Sequence, residues 1–198
     1  MAIGTFLSAA LRHPAVVGAI GPSSRHLAAD IVRRLDARPG QLVVELGSGT
    51  GPMTRALASV LPGLPRFAVE ALPEMAAATR RAAPGVEVVE GSAAELPRFL
   101  AERGLGRAEG IVSGLPFAAW PERLQQEVLD GVLAALTPDG RMVTFTYVTS
   151  AWLPAARRFR RLLERSFARV TRGATVWANL PPAFVYVCDG PIASGGRR

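Results

Sequence analysis

Three glycines at alternate positions, Gly47, Gly49 and Gly51, form the segment of this sequence best suited to hold a small molecule. They follow an apolar run at 41–46, and Glu45 stands two positions ahead of the first glycine. Glycine lets the backbone turn sharply and approach a ligand that a Cβ atom would exclude. A dinucleotide-binding fingerprint, G-x-G-x-x-G, would need its third glycine at position 52, where this chain has proline. The spacing G-x-G-x-G therefore indicates a ligand-binding loop of a different class.

Glu70 is a second acidic residue that could contact the same ligand. It ends the apolar run at 66–70, nineteen residues after Gly51. If both runs are parallel strands, the glycine loop and Glu70 meet at the carboxyl edge of one sheet. A carboxylate has two acceptor oxygens, so Glu70 could accept hydrogen bonds from both hydroxyls of a ribose. The pattern therefore predicts a nucleoside-like ligand.

The elements that must position these residues alternate between strand and helix. Short apolar runs predict strands, separated by helical patterns, and the strands are expected at 41–46, 66–70, 86–90, 110–113 and 141–148. A turn is predicted at Pro138-Asp139-Gly140. A basic helix at about 154–167 then precedes two strand-like runs, and the turn-rich segment between them predicts an antiparallel strand at one edge. The predicted fold class is α/β, with a seven-stranded, mostly parallel sheet and helices on both faces.

Composition limits the possible functions without choosing one. The 198 residues carry a net charge of +7, which favours anionic partners such as lipid headgroups, nucleic acid or acidic metabolites. Cys188 is the only cysteine, which excludes an intrachain disulfide, and His13 and His26 cannot supply a usual zinc site, so no metal is predicted. The uncharged stretches are too short or too interrupted to cross a bilayer. We expect a soluble cytoplasmic protein that touches a membrane.

The loop at 45–51 resembles that of the class I methyltransferases. From about Pro14 to Cys188 the sequence also resembles the bacterial phospholipid N-methyltransferases. Four segments carry this resemblance: GAIGPSSR at 18–25, ELGSGTG at 45–51, SGLPF at 113–117 and NLPPA at 179–183. That family usually has proline where this chain has Ser48, a departure that we expect to be tolerated because backbone contacts dominate in such a loop.

The resemblance implies a Rossmann-like class I methyltransferase fold with additional N-terminal helices. It also implies S-adenosylmethionine as the cofactor, with S-adenosylhomocysteine as product. Methyltransferases often have aspartate at the position of Ser92, where it contacts the adenine amino group. Ser92 could make that contact or cap the helix that follows, and both roles remain open. The implied cofactor-binding residues are Glu45, Gly47, Ser48, Gly49, Thr50, Gly51, Glu70, Ala71, Gly91, Ser92, Ala93 and Ser113.

The same resemblance implies N-methylation of phosphatidylethanolamine toward phosphatidylcholine, on the inner face of the cytoplasmic membrane. The amine must lose a proton and align behind the sulfonium methyl group, and such positioning can contribute roughly 7–11 kcal/mol. Candidate catalytic residues are Tyr147, Ser113 and His26. Candidate substrate-binding residues are Arg25, Leu115, Pro116, Phe117, Arg172 and Trp177.

Two segments are predicted to contact an anionic membrane surface. The first is an apolar helical stripe formed by Ile3, Phe6, Leu7, Ala10 and Leu11. The alternative is that this stripe docks on the protein's own core. The second is the arginine-rich helix at 155–169, whose Phe and Leu side is expected to pack on the sheet. We divide the chain into an N-terminal helical segment that acts as a membrane or substrate lid (1–36), a methyltransferase domain (37–190) and a disordered tail (191–198). We expect a monomer.

Two other functions are compatible with parts of the sequence. Ribosomal RNA adenine N6-dimethyltransferases share the glycine loop and a Leu-Pro-aromatic segment, but they usually have asparagine ahead of Leu-Pro. Here Ser113-Gly114 precedes Leu115, which disfavours a nucleic-acid substrate, although basicity suits RNA as well as lipid. A non-catalytic module that binds the cofactor or a membrane is the third possibility.

Overall fold

Short runs of β-branched and other apolar residues form a seven-stranded sheet in the computed structural model, which describes residues 24–192. The strands are β1 (Val43–Leu46), β2 (Arg66–Glu70), β3 (Glu87–Glu90), β4 (Ala108–Ser113), β5 (Leu136–Tyr147), β6 (Phe167–Val176) and β7 (Ala183–Pro191). The α-helices of the described residues are α1 (Arg25–Leu35), α2 (Pro52–Val60), α3 (Pro73–Ala82), α4 (Leu96–Glu102), α5 (Glu122–Ala135) and α6 (Pro154–Ser166). The apolar stripe predicted at residues 3–11, His13 and the tail at 193–198 lie outside the described residues.

The strand order is β3-β2-β1-β4-β5-β7-β6, and the neighbours from β3 to β5 are parallel. Strand β7 is antiparallel to both β5 and β6. The reversed strand is therefore β7, which lies next to the edge strand β6 and not at the edge itself. The predicted seven-stranded, mostly parallel sheet is therefore confirmed. Because Leu46 pairs with Ser113 and with Val69, the loops that follow β1, β2 and β4 meet at one edge.

Alternate strand residues pack against helices on opposite faces of the sheet. Val44 and Leu46 belong to the cluster covered by α4, α5 and α6, whereas Val43 belongs to the cluster covered by α1 and α2. The arginine-rich helix α6 buries Phe159 and Leu163 in the first cluster, as expected for its apolar side. Every helix within residues 24–192 is too short or too polar to span a bilayer.

Three local features differ from the sequence expectations. The turn predicted at Pro138-Asp139-Gly140 is wrong, because these residues lie within β5. They form an irregularity in its pairing with β4: Ala108 pairs with Leu136, whereas Gly110, two residues later, pairs with Arg141, five residues later. Proline is accommodated in an inner strand at such a bulge, where its missing N–H is not needed. Helix α4 was not delimited from the sequence. Strand β7 continues to Pro191, which the sequence analysis assigned to the tail, so the domain extends at least that far.

Candidate active site

A cavity of about 260 Å³ lies at the carboxyl ends of the first four strands. Its wall is mostly apolar and includes most of the predicted cofactor-binding residues: Gly47, Gly49, Thr50, Glu70, Ala71, Gly91, Ser92 and Ala93. Two of the predicted substrate-binding residues, Leu115 and Pro116, line the same cavity. The structure thus places predicted cofactor and acceptor residues around one space.

The glycine loop and the loop after β4 are packed directly against each other. Gly47 has a φ of 73°, and a Cβ atom there would lie 2.7 Å from Cδ2 of Leu115. A Cβ atom on Gly114 would lie 2.7 Å from the carbonyl oxygen of Gly47. A side chain at position 114 would have to displace the backbone of Gly47, and one at position 47 would displace the Leu115 side chain and strain a left-handed backbone. The two glycines therefore bring the cofactor segment and the acceptor segment into contact.

Glu70 orients the glycine loop through its carboxylate, which is buried. The backbone N–H of Gly49 donates to Oε2 at 2.9 Å, and the N–H of Leu72 donates to Oε1 at 3.1 Å. Each oxygen keeps a second lone pair. Because Glu70 also lines the cavity, those lone pairs suit the two hydroxyls of a ribose.

Glu45 lies beneath the loop and does not line the cavity. Burial, opposed in part by Thr54 and assisted by the nearby charge of Glu70, raises the pKa of its carboxyl from 4.5 to about 7. Even so, within residues 24–192 neither carboxylate oxygen makes a hydrogen bond of ordinary geometry, and neither does the Thr54 hydroxyl. The described part of the chain therefore offers the buried Glu45 carboxylate little hydrogen bonding to offset its loss of water.

Ser48 and Gly51 also support the loop from behind rather than facing the cavity. Thr79 of α3 donates its hydroxyl hydrogen to the carbonyl of Gly49 at 2.8 Å, and its oxygen lies 3.0 Å from Oγ of Ser48. The side chain that replaces the family's usual proline thus belongs to a polar contact that ties the loop to α3. Gly51 approaches Ala82 on the same helix, where an added Cβ would lie 3.0 Å from the alanine methyl group.

Ser92 caps the short 3-10 helix that precedes α4 and also lines the cavity. Its Oγ accepts from the N–H of Ala94 at 3.3 Å, while Glu95 accepts from the N–H of Ser92 at 3.4 Å. This reciprocal pair is a capping box, for which Ser-x-x-Glu is the sequence signal. The capping role is therefore confirmed, and the position of Ser92 in the wall leaves its contact with adenine a prediction.

Ser113 and Phe117 hold the acceptor loop in place without lining the cavity. Oγ of Ser113 accepts from the N–H of Leu115 at 3.3 Å, and the Phe117 ring stacks on Phe159 of α6 with centroids 4.1 Å apart. The amide of Gln125 donates to the carbonyls of Phe117 at 2.6 Å and Ala155 at 3.0 Å. The segment is thus fastened to α5 and α6.

Six residues of the cavity wall were not predicted. They are Val69, Leu72, Met75, Gly114, Trp120 and Val128. Trp120 is 3% exposed and contacts Phe117 edge-on with centroids 5.1 Å apart. The sequence signal that could have identified Trp120 as a cavity residue is its position three residues after Phe117. Val128 comes from α5, and its approach to the cavity depends on tertiary packing.

The remaining predicted residues lie outside the cavity. Tyr147 packs with Phe145 on the face covered by α1 and α2, and burial raises the pKa of its phenol. His26 is exposed in an open groove of about 570 Å³ that is also lined by Arg25 and Trp177. Arg172 places its guanidinium 3.8 Å from the centre of the Phe184 ring.

A second groove, of about 380 Å³, runs between α1 and α2. Arg25 and Arg55 both line it, and so does Thr50, which also lines the cavity described above. Arg55 was not predicted as a site residue. The two guanidinium groups therefore border a space that reaches the glycine loop.

This strand order, with a glycine loop after β1 and a carboxylate at the end of β2 meeting at one cavity, defines a class I S-adenosylmethionine-dependent methyltransferase. TrmN from Thermus thermophilus has the same fold, with 25% identity, a TM-score of 0.68 and coverage of 90% of this chain and 52% of that one. This chain thus spans about half the length of TrmN. A TehB-like S-adenosylmethionine-dependent methyltransferase from Corynebacterium glutamicum matches with 17% identity, a TM-score of 0.62 and coverage of 96% and 98%. No family model matches the chain.

A relative of known activity narrows the class. The ornithine lipid N-methyltransferase of Singulisphaera acidiphila is 34% identical over 190 residues, which cover 93% of this chain and 94% of that protein. The chain therefore belongs to the bacterial lipid N-methyltransferases. The family resemblance seen in the sequence is confirmed, and S-adenosylmethionine is the cofactor.

Proposed function

We propose that this enzyme methylates the free side-chain amine of an ornithine lipid. The observation that carries the proposal is the 34% identity, over nearly the full length of both chains, with an enzyme of that name. Phosphatidylethanolamine, which the sequence segments indicated, is the second candidate. Both lipids present a primary amine near an anionic group, a carboxylate in one and a phosphate in the other.

The residues of the cavity fit the cofactor. A Cβ atom on Gly49 would meet no atom within 4 Å, so the loop backbone borders open space beside the Glu70 carboxylate. The mostly apolar remainder of the wall suits an adenine ring. When bound there, S-adenosylmethionine supplies a methyl group that is already electrophilic. The protein then has to align the amine and exclude competing geometries.

The groove between α1 and α2 suits the anionic part of the headgroup. Arg25 and Arg55 are exposed on its walls, and guanidinium groups bind carboxylates and phosphates through paired N–H donors. Because Thr50 borders both this groove and the cofactor cavity, an anion held here keeps a nearby amine close to the glycine loop. This arrangement retains Arg25 as a substrate-binding residue and adds Arg55.

Positioning, rather than a dedicated side-chain base, is the catalytic device that this cavity supports. Among residues 24–192, Glu70 is the one ionisable residue that lines the cavity, and both of its oxygens already accept backbone hydrogen bonds. Tyr147 lies on the other face of the sheet with a raised pKa, so it holds its proton at neutral pH. We infer that the amine loses its proton to water and is then aligned by the loop at 113–117.

A radiolabelled-methyl assay tests the substrate. Purified enzyme is offered ornithine lipid, phosphatidylethanolamine, its monomethyl derivative and undermethylated ribosomal RNA in separate reactions. We expect label in ornithine lipid. Label in phosphatidylethanolamine alone would move the assignment to the second candidate. Labelled RNA with unlabelled lipids would overturn both.

A further inference from the structure

Three large apolar side chains project into solvent from two neighbouring loops. Trp152 is 65% exposed, Trp177 is 76% exposed and Leu180 is 82% exposed, whereas the other exposed large apolar residues of the described chain reach at most 45%. Trp152 lies in the loop at 148–153 after β5, and the other two lie in the loop at 177–182 between β6 and β7. Neither loop contains a charged residue. We refer to the three side chains as the apolar rim.

Strand register places the apolar rim on the edge that holds the cofactor cavity. Ser113, the last residue of β4, pairs with Thr144, and β5 continues three residues further to Tyr147. Tyr147 pairs with Ala183, which in turn pairs with Val176 at the end of β6. At about 3.3 Å per residue, the rim loops begin about 10 Å beyond the end of β4. They therefore lie on the same edge of the sheet as the cavity, farther out along the strand direction.

The rim loops are held firmly in this position. The N–H of Val148 donates to the carbonyl of Pro182 at 2.8 Å, which joins the two loops. Asn179 is buried, accepts from the N–H of Ser24 at 2.8 Å and donates to the carbonyl of Pro181 at 2.6 Å. Trp177 and Leu180 are thus exposed on a hydrogen-bonded scaffold, which also anchors the start of α1.

Two arginine side chains, Arg25 and Arg33, border the same rim. The groove of about 570 Å³ beside Trp177 is lined by Arg25, His26 and Arg33. Its acidic residue, Asp30, pairs with Arg34 at 2.7 Å and lies 3.9 Å from Arg33. Tryptophan side chains favour the lipid–water interface, and arginine favours anionic headgroups. The combination matches the surface of an anionic bilayer.

We propose that the apolar rim inserts into the interface of an anionic membrane, so that a lipid headgroup reaches the cavity while its acyl chains stay in the bilayer. This inference rests on the proposed lipid substrate. It assigns membrane contact to two loops for which the sequence analysis predicted none, although that analysis named Trp177 as a substrate-binding candidate. Helix α6, by contrast, buries its apolar side and offers only charges.

Vesicle cosedimentation of the full chain tests the proposal. The double variant Trp152→Ala/Leu180→Ala removes two rim side chains that line neither groove, and Leu105→Ala, at an exposed position before β4, is the matched control. On vesicles of phosphatidylglycerol and phosphatidylcholine, we expect the double variant to bind at least about tenfold more weakly and the control to bind as wild type does. Unchanged binding by the double variant would overturn the proposal, as would gel filtration showing that the rim instead joins two copies of the chain.

A soluble substrate separates failure of this inference from failure of the proposed function. Short-chain ornithine lipid below its micelle concentration needs no membrane docking. We expect the double variant to methylate it as wild type does, while methylation of vesicle-embedded lipid falls with vesicle binding. If wild type leaves the short-chain lipid and short-chain phosphatidylethanolamine unlabelled, the substrate assignment fails, whatever the vesicle result.

Discussion

Replacing Gly114 by alanine tests the contact between the cofactor loop and the acceptor loop. The added Cβ atom would lie 2.7 Å from the carbonyl oxygen of Gly47, whereas ordinary contacts begin near 3.4 Å. The loops must therefore separate by about 0.7 Å, although both follow strands that pair directly. Overpacking of this kind costs about 1–3 kcal/mol, so we expect the free energy of unfolding to fall by that amount.

The same displacement should reach the reaction. Because Gly47 lines the cavity, we expect kcat/KM for the lipid to fall by about 10–100-fold, and the affinity for S-adenosylhomocysteine to fall with it. Gly106→Ala is the matched control, since a Cβ there would meet no atom within 4 Å. Urea unfolding, calorimetry and methyl-transfer kinetics are measured on both variants. If Gly114→Ala behaves like Gly106→Ala in all three, the two loops are not packed as described.

Two acidic residues near the loop give further predictions. Glu70→Gln puts an NH2 group opposite a backbone N–H, so we expect calorimetry to show S-adenosylmethionine binding weakened by about 10–100-fold, with exposed Glu74→Gln unchanged. Glu45 keeps its proton in the folded state up to about pH 7 but loses it near pH 4.5 when unfolded, so its contribution to stability declines between these values. Without cofactor, we therefore expect the unfolding free energy of wild type to fall by about 3 kcal/mol relative to that of Glu45→Gln as the pH rises from 4 to 8. A pH-independent difference in urea unfolding would contradict this assignment.

The parallel part of the fold was predictable because its strands are buried on both faces. Such strands appear as short, nearly continuous apolar runs, and the runs at β1 and β2 were located within two residues. The turn at 138–140 was misplaced because Pro-Asp-Gly has the same local signal in a turn and in a bulge. The two strand-like runs after α6 were predicted and correspond to β6 and β7, but the sequence did not show that β7 lies between β5 and β6, since strand order depends on long-range pairing.

The cofactor half of the site was more predictable than the acceptor half. Gly47 and Gly49 come just after β1 and Glu70 ends β2, so the position of each residue in the sequence already indicates its place at the carboxyl edge of the sheet. Acceptor candidates such as Tyr147 and Arg172 lie further along the sheet, where their position depends on strand direction and on which face each side chain occupies. Val143, Phe145 and Tyr147 share one face by simple alternation, which places the tyrosine away from Trp120 and Val128.

Unequal strand lengths explain how one sheet edge could serve a water-soluble cofactor and a membrane lipid. β1 and β4 end at the cavity, whereas β5 continues for about three residues, or about 10 Å, before its chain turns. If the apolar rim lies in a bilayer interface, as we propose, the cavity is recessed from that interface by about the same distance. In both candidate lipids only a few bonds separate the amine from the glycerol or fatty-acyl part. The headgroup must therefore be drawn out of the bilayer plane toward the cavity. In the proposed arrangement, the guanidinium groups of Arg25 and Arg55, beside Thr50, supply that attraction through the anionic part of the headgroup.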